Sequence, residues 1–438
     1  LEVNQARPAL RTEIIAGMTT FLTAAYVIIV NPSIVADAGI PFAAGVTATV
    51  LVSFIGSCAM GLYARSPILV APGMGINALF TYTIVLGMHV PLETALGCTL
   101  LAGIAFAVLA LGDARSRLVA AVPPGLRYGV SAGIGLFLSF LGLIDARFVV
   151  SDSKTLVAAG AFDACVLTFL AGLVITIALV VRKVPGSLMI GMIVTTLLAT
   201  PIGRLYGDGS AYGGGPTVVN WTGWVAAPDF SFIGRVDLLG ACKLAYLPVV
   251  FVLLFTNFIE AMSTFMALAE VGNLKDSRGL PRNIKQTMHV DALSALLSGP
   301  LGTSPAVAYL ESAAGIAQGG RSGLVAIVCG LMFLPFMFLS PLLSLVPSIA
   351  TAPTLVMVGI FMMECVGRIR WDDMEEAIPA FVAILLIPLS YSMTLGISLA
   401  FITHVLLQII KGKARGVPAV MWVTAGLSVL LIVQLKAG

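Results

Sequence analysis

The chain has 438 residues, 59% hydrophobic and 10% charged, with a formal net charge of +3 and a mean hydropathy of +1.04. No water-soluble domain needs that balance, so the composition specifies an all-α polytopic membrane protein with lipid as its solvent. The small, dispersed charge excludes nucleic acid as a partner, and Cys58, Cys98, Cys165, Cys242, Cys329 and Cys365 show no metal or redox spacing, so they read as core packing and no cofactor is expected.

Apolar runs of about 17–25 residues, the length a membrane helix needs, fall at 12–37, 42–64, 66–87, 91–111, 123–144, 160–182 and 186–206. The first begins near Ile14 and is long enough to persist as a span instead of a cleaved leader. A polar interval, 207–234, follows, with the run GDGSAYGGGP and Trp221 and Trp224. Runs resume at 236–271, 284–300, 302–319, 321–341, 352–367, 374–391 and 393–411. A last stretch, 417–435, is either a further span or an interfacial helix.

Basic residues favour cytoplasmic loops. With the N-terminus inside, Arg7, Arg11, Arg65, Arg115, Arg117, Arg127, Arg182 and Lys183 fall inside in the first half. Lys275, Arg278, Arg282, Lys285, Arg321, Arg368, Arg370, Lys411, Lys413 and Arg415 do so in the second. Arg147, Lys154, Arg204, Arg235, Lys243 and Lys436 fall elsewhere. The asymmetry supports fourteen spans with both termini cytoplasmic, in a cell membrane of the bacterial inner-membrane kind.

Seven spans lie on either side of the polar interval, and their punctuation matches. The third span opens SPILVAPGMGINALF, Ser66 to Phe80, where Pro67, Pro72, Gly73 and Gly75 oppose helix before about Met74. The tenth is contained in GPLGTSPAVAYLESAAGIA, Gly299 to Ala317, which reads as an extended piece followed by a short half-helix. Its carboxylate, Glu311, is expected to face a cavity near the midplane. The fifth and twelfth spans correspond loosely, Val122-Pro123-Pro124-Gly125 against Thr351-Ala352-Pro353-Thr354. An odd number of spans per repeat forces the halves to be inverted, and broken helices at matching positions of inverted halves mark a transporter's central site.

Ionisable residues at membrane depth are functional candidates by default. Glu260 lies deep in the eighth span, and Asn257, Glu260 and Thr264 form one polar stripe at helical spacing. Glu260 and Glu311 are the two acids able to exchange a proton as a cavity opens and closes. Asn77 stands just inside the third-span half-helix, where it either meets a ligand with its donor and acceptor or satisfies backbone freed by the break. The backbone of Ala71 to Gly75, and of Thr303 to Ala306 with Ser304, offers N–H groups to the same centre. His289 and Asp291 are either a relay or a packing feature at the cytoplasmic edge. His404 and His89 are weaker candidates.

APGMGINALF at 71–80, GTSPAVAYLESAAGIAQGGRSGL at 302–324 and WDDMEEAIPAF at 371–381 resemble the AzgA-like purine permeases. These are a branch of the nucleobase–cation symporters related to the nucleobase–ascorbate transporters. The resemblance runs from Arg11 to about Lys411. It implies fourteen spans in two inverted repeats of seven, with short extended segments in spans 3 and 10. It also implies a core domain (12–111 and 236–341) moving against a gate domain (123–206 and 352–411), with 207–234 an extracytoplasmic linker and 417–435 an extra C-terminal segment. It implies a substrate between the extended segments of spans 3 and 10, held by the acids of spans 8 and 10, Glu260 and Glu311. With the residues read above, the expected substrate-binding set is Gly75, Asn77, Asn257, Glu260, Thr264, Thr303, Ser304, Leu310 and Glu311, with the coupled proton on Glu260 or Glu311. In span 8 the branch usually carries Asp-Leu-Phe-Asp-Thr-x-Gly-Thr. Here Asn257 replaces the first acid, Glu260 the second and Ser263 the glycine.

The expected function is proton-coupled uptake of a purine nucleobase, with the proton favoured over sodium and a homodimer implied by the resemblance. A same-fold transporter of another small solute, such as an organic anion, is the alternative. A channel would need a continuous polar path that these spans lack. An enzyme would need a nucleophile–base pair or metal set that the motifs do not supply.

Overall fold

The computed structural model describes residues 9–111, 122–152, 156–206, 223–272, 274 and 283–437. Arg7, Arg115, Arg117, Lys154, the GDGSAYGGGP run with Trp221, Lys275, Arg278 and Arg282 lie outside these residues.

The first half opens with α1 (Leu10–Ala24), α2 (Val27–Asp37) and α3 (Phe42–Leu62). A short strand β1 (Val70–Pro72) leads into α4 (Met74–Ala78), which continues as a wider π-helix over Leu79–Gly87. Then come α5 (Leu92–Leu111), α6 (Pro124–Asp145), a hairpin of β2 (Val149–Asp152) and β3 (Leu156–Ala159), α7 (Ala164–Val181) and α8 (Ser187–Tyr206). The second half contains α9 (Leu238–Ala241), α10 (Leu247–Val271), α11 (Ile284–Leu301), strand β4 (Ala306–Ala308) and half-helix α12 (Ser312–Ala317). It ends with α13 (Leu324–Phe333), α14 (Ser340–Leu343), α15 (Ser348–Met362), α16 (Met374–Leu389), α17 (Met393–Ile410) and α18 (Ala419–Ala437). Among the described residues eight helices are long and apolar enough to cross a membrane, and Met74–Gly87, Ser187–Ala199 and Leu324–Phe338 are shorter apolar helices.

Several expectations change. The first span, Leu10–Asp37, divides into α1 and α2 at a turn over Ala25–Tyr26. There Ile28 N–H reaches Ala25 O at 3.1 Å and Ile29 N–H reaches Tyr26 O at 3.1 Å, the tighter three-residue spacing of a 3₁₀ turn. The eighth span was expected from 236, but the long helix starts at Leu247, after two short helical turns. The twelfth was expected from 352, but the helix begins at Ser348 and carries Pro353 inside it. Its polar Thr351 and Thr354 are buried against protein, which an apolar-run count overlooks. The β2–β3 hairpin was not anticipated. The 417–435 stretch is helical and packs on α17 and α10.

The helices pack in two sets. In one, α3 lies on α13 and α11, α5 on α11 and α10, and α1 on α13 and α12, with β1 and β4 enclosed between them. In the other, α6 lies on α15 and α16, α7 on α8, α16 on α17, and α15 on α7 and α8. Small residues permit the close crossings of the second set. A Cβ on Gly135 would meet Gly359 O at 2.8 Å, and one on Gly142 would meet Ala352 O at 2.7 Å. Few contacts link the sets, and several run through α4 and its π-helical extension to α6 and α17.

Candidate functional site

The site is built on irregular backbone. β1 and β4 pair antiparallel, Val70 opposite Ala308, Ala71 opposite Val307 and Pro72 opposite Ala306. At each end the ladder closes with a further bond, Tyr309 N–H to Leu69 O at 2.9 Å and Gly73 N–H to Pro305 O at 3.1 Å. A two-stranded ribbon leaves its outward N–H and C=O groups unpaired, and at membrane depth each such group costs several kcal/mol. Side chains from the flanking helices take up these groups. Ser57 of α3 accepts from Val70 N–H at 3.1 Å and donates back to Val70 O at 3.2 Å. Ser298 of α11 accepts from Ala306 N–H at 3.0 Å, and Asp291 accepts from Ala308 N–H at 2.8 Å. Pro72, at an outward position, has no N–H to satisfy, and the Tyr309 hydroxyl donates to its carbonyl at 2.5 Å.

Each strand delivers the chain to a half-helix, and the two acids stand at these junctions. Glu260 comes from α10 and lies against the first turn of α4. A Cβ placed on Gly75 would sit 2.6 Å from Glu260 Oε1, and one on Gly73 would sit 3.1 Å from Oε2. The glycines therefore make the space the carboxylate occupies. The same Gly75 Cβ would meet Ile134 Cγ2 of α6 at 2.7 Å, so the junction lies where the two helix sets meet. Glu260 Oε2 is buried and has no hydrogen-bond partner among the described residues.

Glu311 occupies the N-cap position of α12. Its Oε1 accepts from the Tyr26 hydroxyl at 2.6 Å. Tyr26 and Tyr309 each lie within electrostatic reach of both Glu260 and Glu311. Two carboxylates from separate helices thus share the same two phenol neighbours.

The remaining sequence candidates divide. Asn257 is buried one turn before Glu260, and its Oδ1 has no hydrogen-bond partner among the described residues. Thr264 is half-buried one turn further along α10. Leu310 is 38% exposed beside Glu311. Asn77, Thr303 and Ser304 gather round Asn31 of α2. Asn31 donates to Thr49 Oγ1 at 2.8 Å and Thr303 Oγ1 at 3.0 Å, and its Oδ1 accepts from Ser304 Oγ at 3.4 Å. Asn77 donates to the Asn31 carbonyl at 3.4 Å. Its amide nitrogen thus meets the backbone of α2 and not that of the third-span break, while its Oδ1 is buried without a hydrogen-bond partner among the described residues.

One backbone expectation is corrected, and of the two readings of His289 and Asp291 the hydrogen-bonded packing feature is the one found. Gly302, at φ +84°, closes α11 with Thr303 N–H bonded back to Ser298 O at 3.0 Å, a Schellman-type ending. Together with the Ala306–Ser298 bond, this turns N–H groups of the 303–306 segment toward α11 instead of the centre. His289 and Asp291 do not form a relay. His289 sits between Tyr63 Oη and Ala110 O, at 3.2 and 3.0 Å, while Asp291 turns to β4, as i and i+2 positions on a helix must diverge. Asp291 Oδ2 is a further buried oxygen without a partner among the described residues.

Sequence reasoning missed Tyr26, Asn31, Ser57 and Ser298, and assigned Asp291 to the wrong place. Their shared signal was a polar side chain inside an apolar run, most plainly Asn31 before Pro32.

The fold and this site define a multi-pass membrane transporter rather than an enzyme. The chain matches the permease family (Xan_ur_permease) over residues 11–405 and belongs to it. It is 36% identical over 430 residues to the adenine permease AdeP of Escherichia coli (strain K12), covering 98% of this chain and 94% of that protein. It is 36% identical over 438 residues to the guanine/hypoxanthine permease PbuO of Bacillus subtilis (strain 168), covering 99% of each. Among solved structures, the transmembrane domain of a cyanobacterium bicarbonate transporter, BicA, shares the fold with a TM-score of 0.65 at 16% identity, over 87% of this chain and 96% of that one.

Proposed function

We propose that the protein imports a purine nucleobase by proton-coupled alternating access. The observation that carries this reading is the convergence of Glu260 and Glu311 on the junctions of the β1–β4 pair. Purine rings present N–H and exocyclic amino donors, and carboxylates accept them with strong, directional hydrogen bonds. The relatives' names, an adenine permease and a guanine/hypoxanthine permease, support the same substrate class. One of the two acids also carries the coupled proton, so that cargo and proton bind and leave together.

Alternating access here means movement of one helix set against the other. The core is 12–111 with 236–341, the gate is 123–206 with 352–411, and the site lies at their boundary. The eight long helices, the three shorter apolar ones and the segments Ile284–Leu301, 306–317 and Met374–Leu389 make fourteen spans in two inverted repeats. Matched packing supports the inversion: α3 on α13 corresponds to α11 on α5, and α7 on α8 corresponds to α16 on α17. The antiparallel pairing of β1 with β4 is what two equivalent strands related by an in-plane two-fold axis would adopt.

Uptake of labelled adenine, guanine and hypoxanthine into proteoliposomes under an imposed proton gradient tests the reading. Concentrative uptake that collapses with a protonophore, and that Glu311→Gln abolishes while the protein stays folded in detergent, is the expected result. Unchanged uptake in that variant would remove Glu311 from the mechanism.

The fold shared with a bicarbonate transporter favours a second reading, transport of a small anion. Two carboxylates at the site oppose it unless protonated. Thermal-shift screening of purines against bicarbonate and organic anions separates the two readings.

A further inference from the structure

We propose that Tyr26 is the positioning residue for Glu311: from the turn in the first span, its hydroxyl fixes one carboxylate oxygen and leaves the other for the cargo. This rests on the proposed function and adds to it an orienting group that belongs to neither interrupted segment.

Ala25 and Tyr26 form the turn between α1 and α2, both with right-handed helical dihedrals, and Tyr26 has 1% of its surface exposed. Its phenol reaches across to α12, where it donates to Glu311 Oε1 at 2.6 Å. Thr23, one turn earlier, bonds within α1, to Thr19 O and Thr20 O at 2.9 Å, with its hydroxyl 3.4 Å from the Glu311 carbonyl. The first span therefore holds the side chain of Glu311, and α1 packs directly on α12.

The two acids are held in different ways. Glu260 Oε2 has no protein partner among the described residues, whereas one oxygen of Glu311 is taken by a phenol. A carboxylate accepts up to about four hydrogen bonds through its two oxygens, so the phenol, with the backbone N–H of Glu311 itself, orients the group without saturating it. Tyr309, two residues before Glu311, donates to Pro72 O across the strand pair. One phenol thus aligns the strands and the other aims the acid.

A double-mutant cycle of Tyr26→Phe and Glu311→Gln tests this, with binding of adenine, guanine and hypoxanthine measured by titration calorimetry and uptake resolved into KM and maximal rate. Tyr26→Phe keeps the ring and removes only the donor. It is expected to weaken binding about tenfold to a hundredfold, the range for a hydrogen bond to a charged group, and to raise KM more than it lowers the maximal rate. In the Glu311→Gln background the same change is expected to alter binding less than about twofold, since the pair acts as a unit. Wild-type affinity in Tyr26→Phe, or equal losses in both backgrounds, would overturn the proposal. The infrared carboxylate band that Glu311→Gln removes gives a readout without cargo. It is expected to shift in Tyr26→Phe, and an unmoved band would overturn the proposal even if no purine bound the wild type. Absence of purine binding to the wild type, with the band shifted, would instead count against the proposed substrate class.

Discussion

Glu260 and the two glycines in front of it form the tightest part of the site. Because a Cβ on Gly75 would stand 2.6 Å from Glu260 Oε1 and 2.7 Å from Ile134 Cγ2, Gly75→Ala must displace the carboxylate, the gate-side isoleucine or both. Purine affinity is expected to fall at least about tenfold, roughly the effect of one misplaced charged hydrogen bond, while the protein still folds. Titration calorimetry checks this, and unaltered affinity would show that the cargo does not approach α4. Glu260→Gln keeps the shape and removes the charge, so it is expected to abolish uptake against a gradient. Counterflow exchange at equal concentrations distinguishes loss of coupling from loss of binding. Both acids were legible in the sequence, since carboxylates are conspicuous in apolar runs. The partners of Asn77, Thr303 and Ser304 were not legible, because their hub, Asn31, lies 272 residues from Thr303 and its contact with that residue is tertiary.

A pair of three-residue strands has little stability of its own in any solvent. What keeps β1 and β4 in place is the set of helix side chains behind them, and Asp291 is the carboxyl member of that set. Asp291→Ala leaves Ala308 N–H without its acceptor and is expected to cost about 1–3 kcal/mol. Asp291→Asn retains an acceptor and is expected to cost less than half of that. Thermal unfolding in detergent checks the ranking, and equal losses would mean that the hydrogen bond is not what Asp291 supplies. The interruptions themselves could be read from prolines and glycines, because those residues act locally on φ and on the donor count. The turn at Tyr26 escaped notice because no glycine or proline stands within it to mark it. Pro353 misled in the opposite direction, standing inside a helix whose buried threonines hid its true start.

At the scale of the molecule, the contacts across the two helix sets are where movement must occur. In the middle of the π-helical segment, Met393 N–H donates to Thr83 Oγ1 at 3.3 Å, and the rings of Tyr82 and Tyr391 meet at 6.2 Å. Cysteines at 83 and 393 joined by a short bifunctional reagent are expected to stop net transport, with activity restored when the linker is cleaved. Transport undiminished by the link would contradict rigid-body movement between the sets. That the chain is an all-helical, multi-pass membrane protein could be read from hydropathy. Which helices lie on which could not, since glycine crossings such as Gly135 against Gly359 depend on partners far apart in the chain. The account is tested most directly by an experimental structure with adenine, guanine or hypoxanthine bound. It predicts a ring bounded by Gly73 to Gly75, with ring or amino nitrogens about 3 Å from carboxylate oxygens of both Glu260 and Glu311; a ligand seated elsewhere, or both acids turned away from it, would contradict the account.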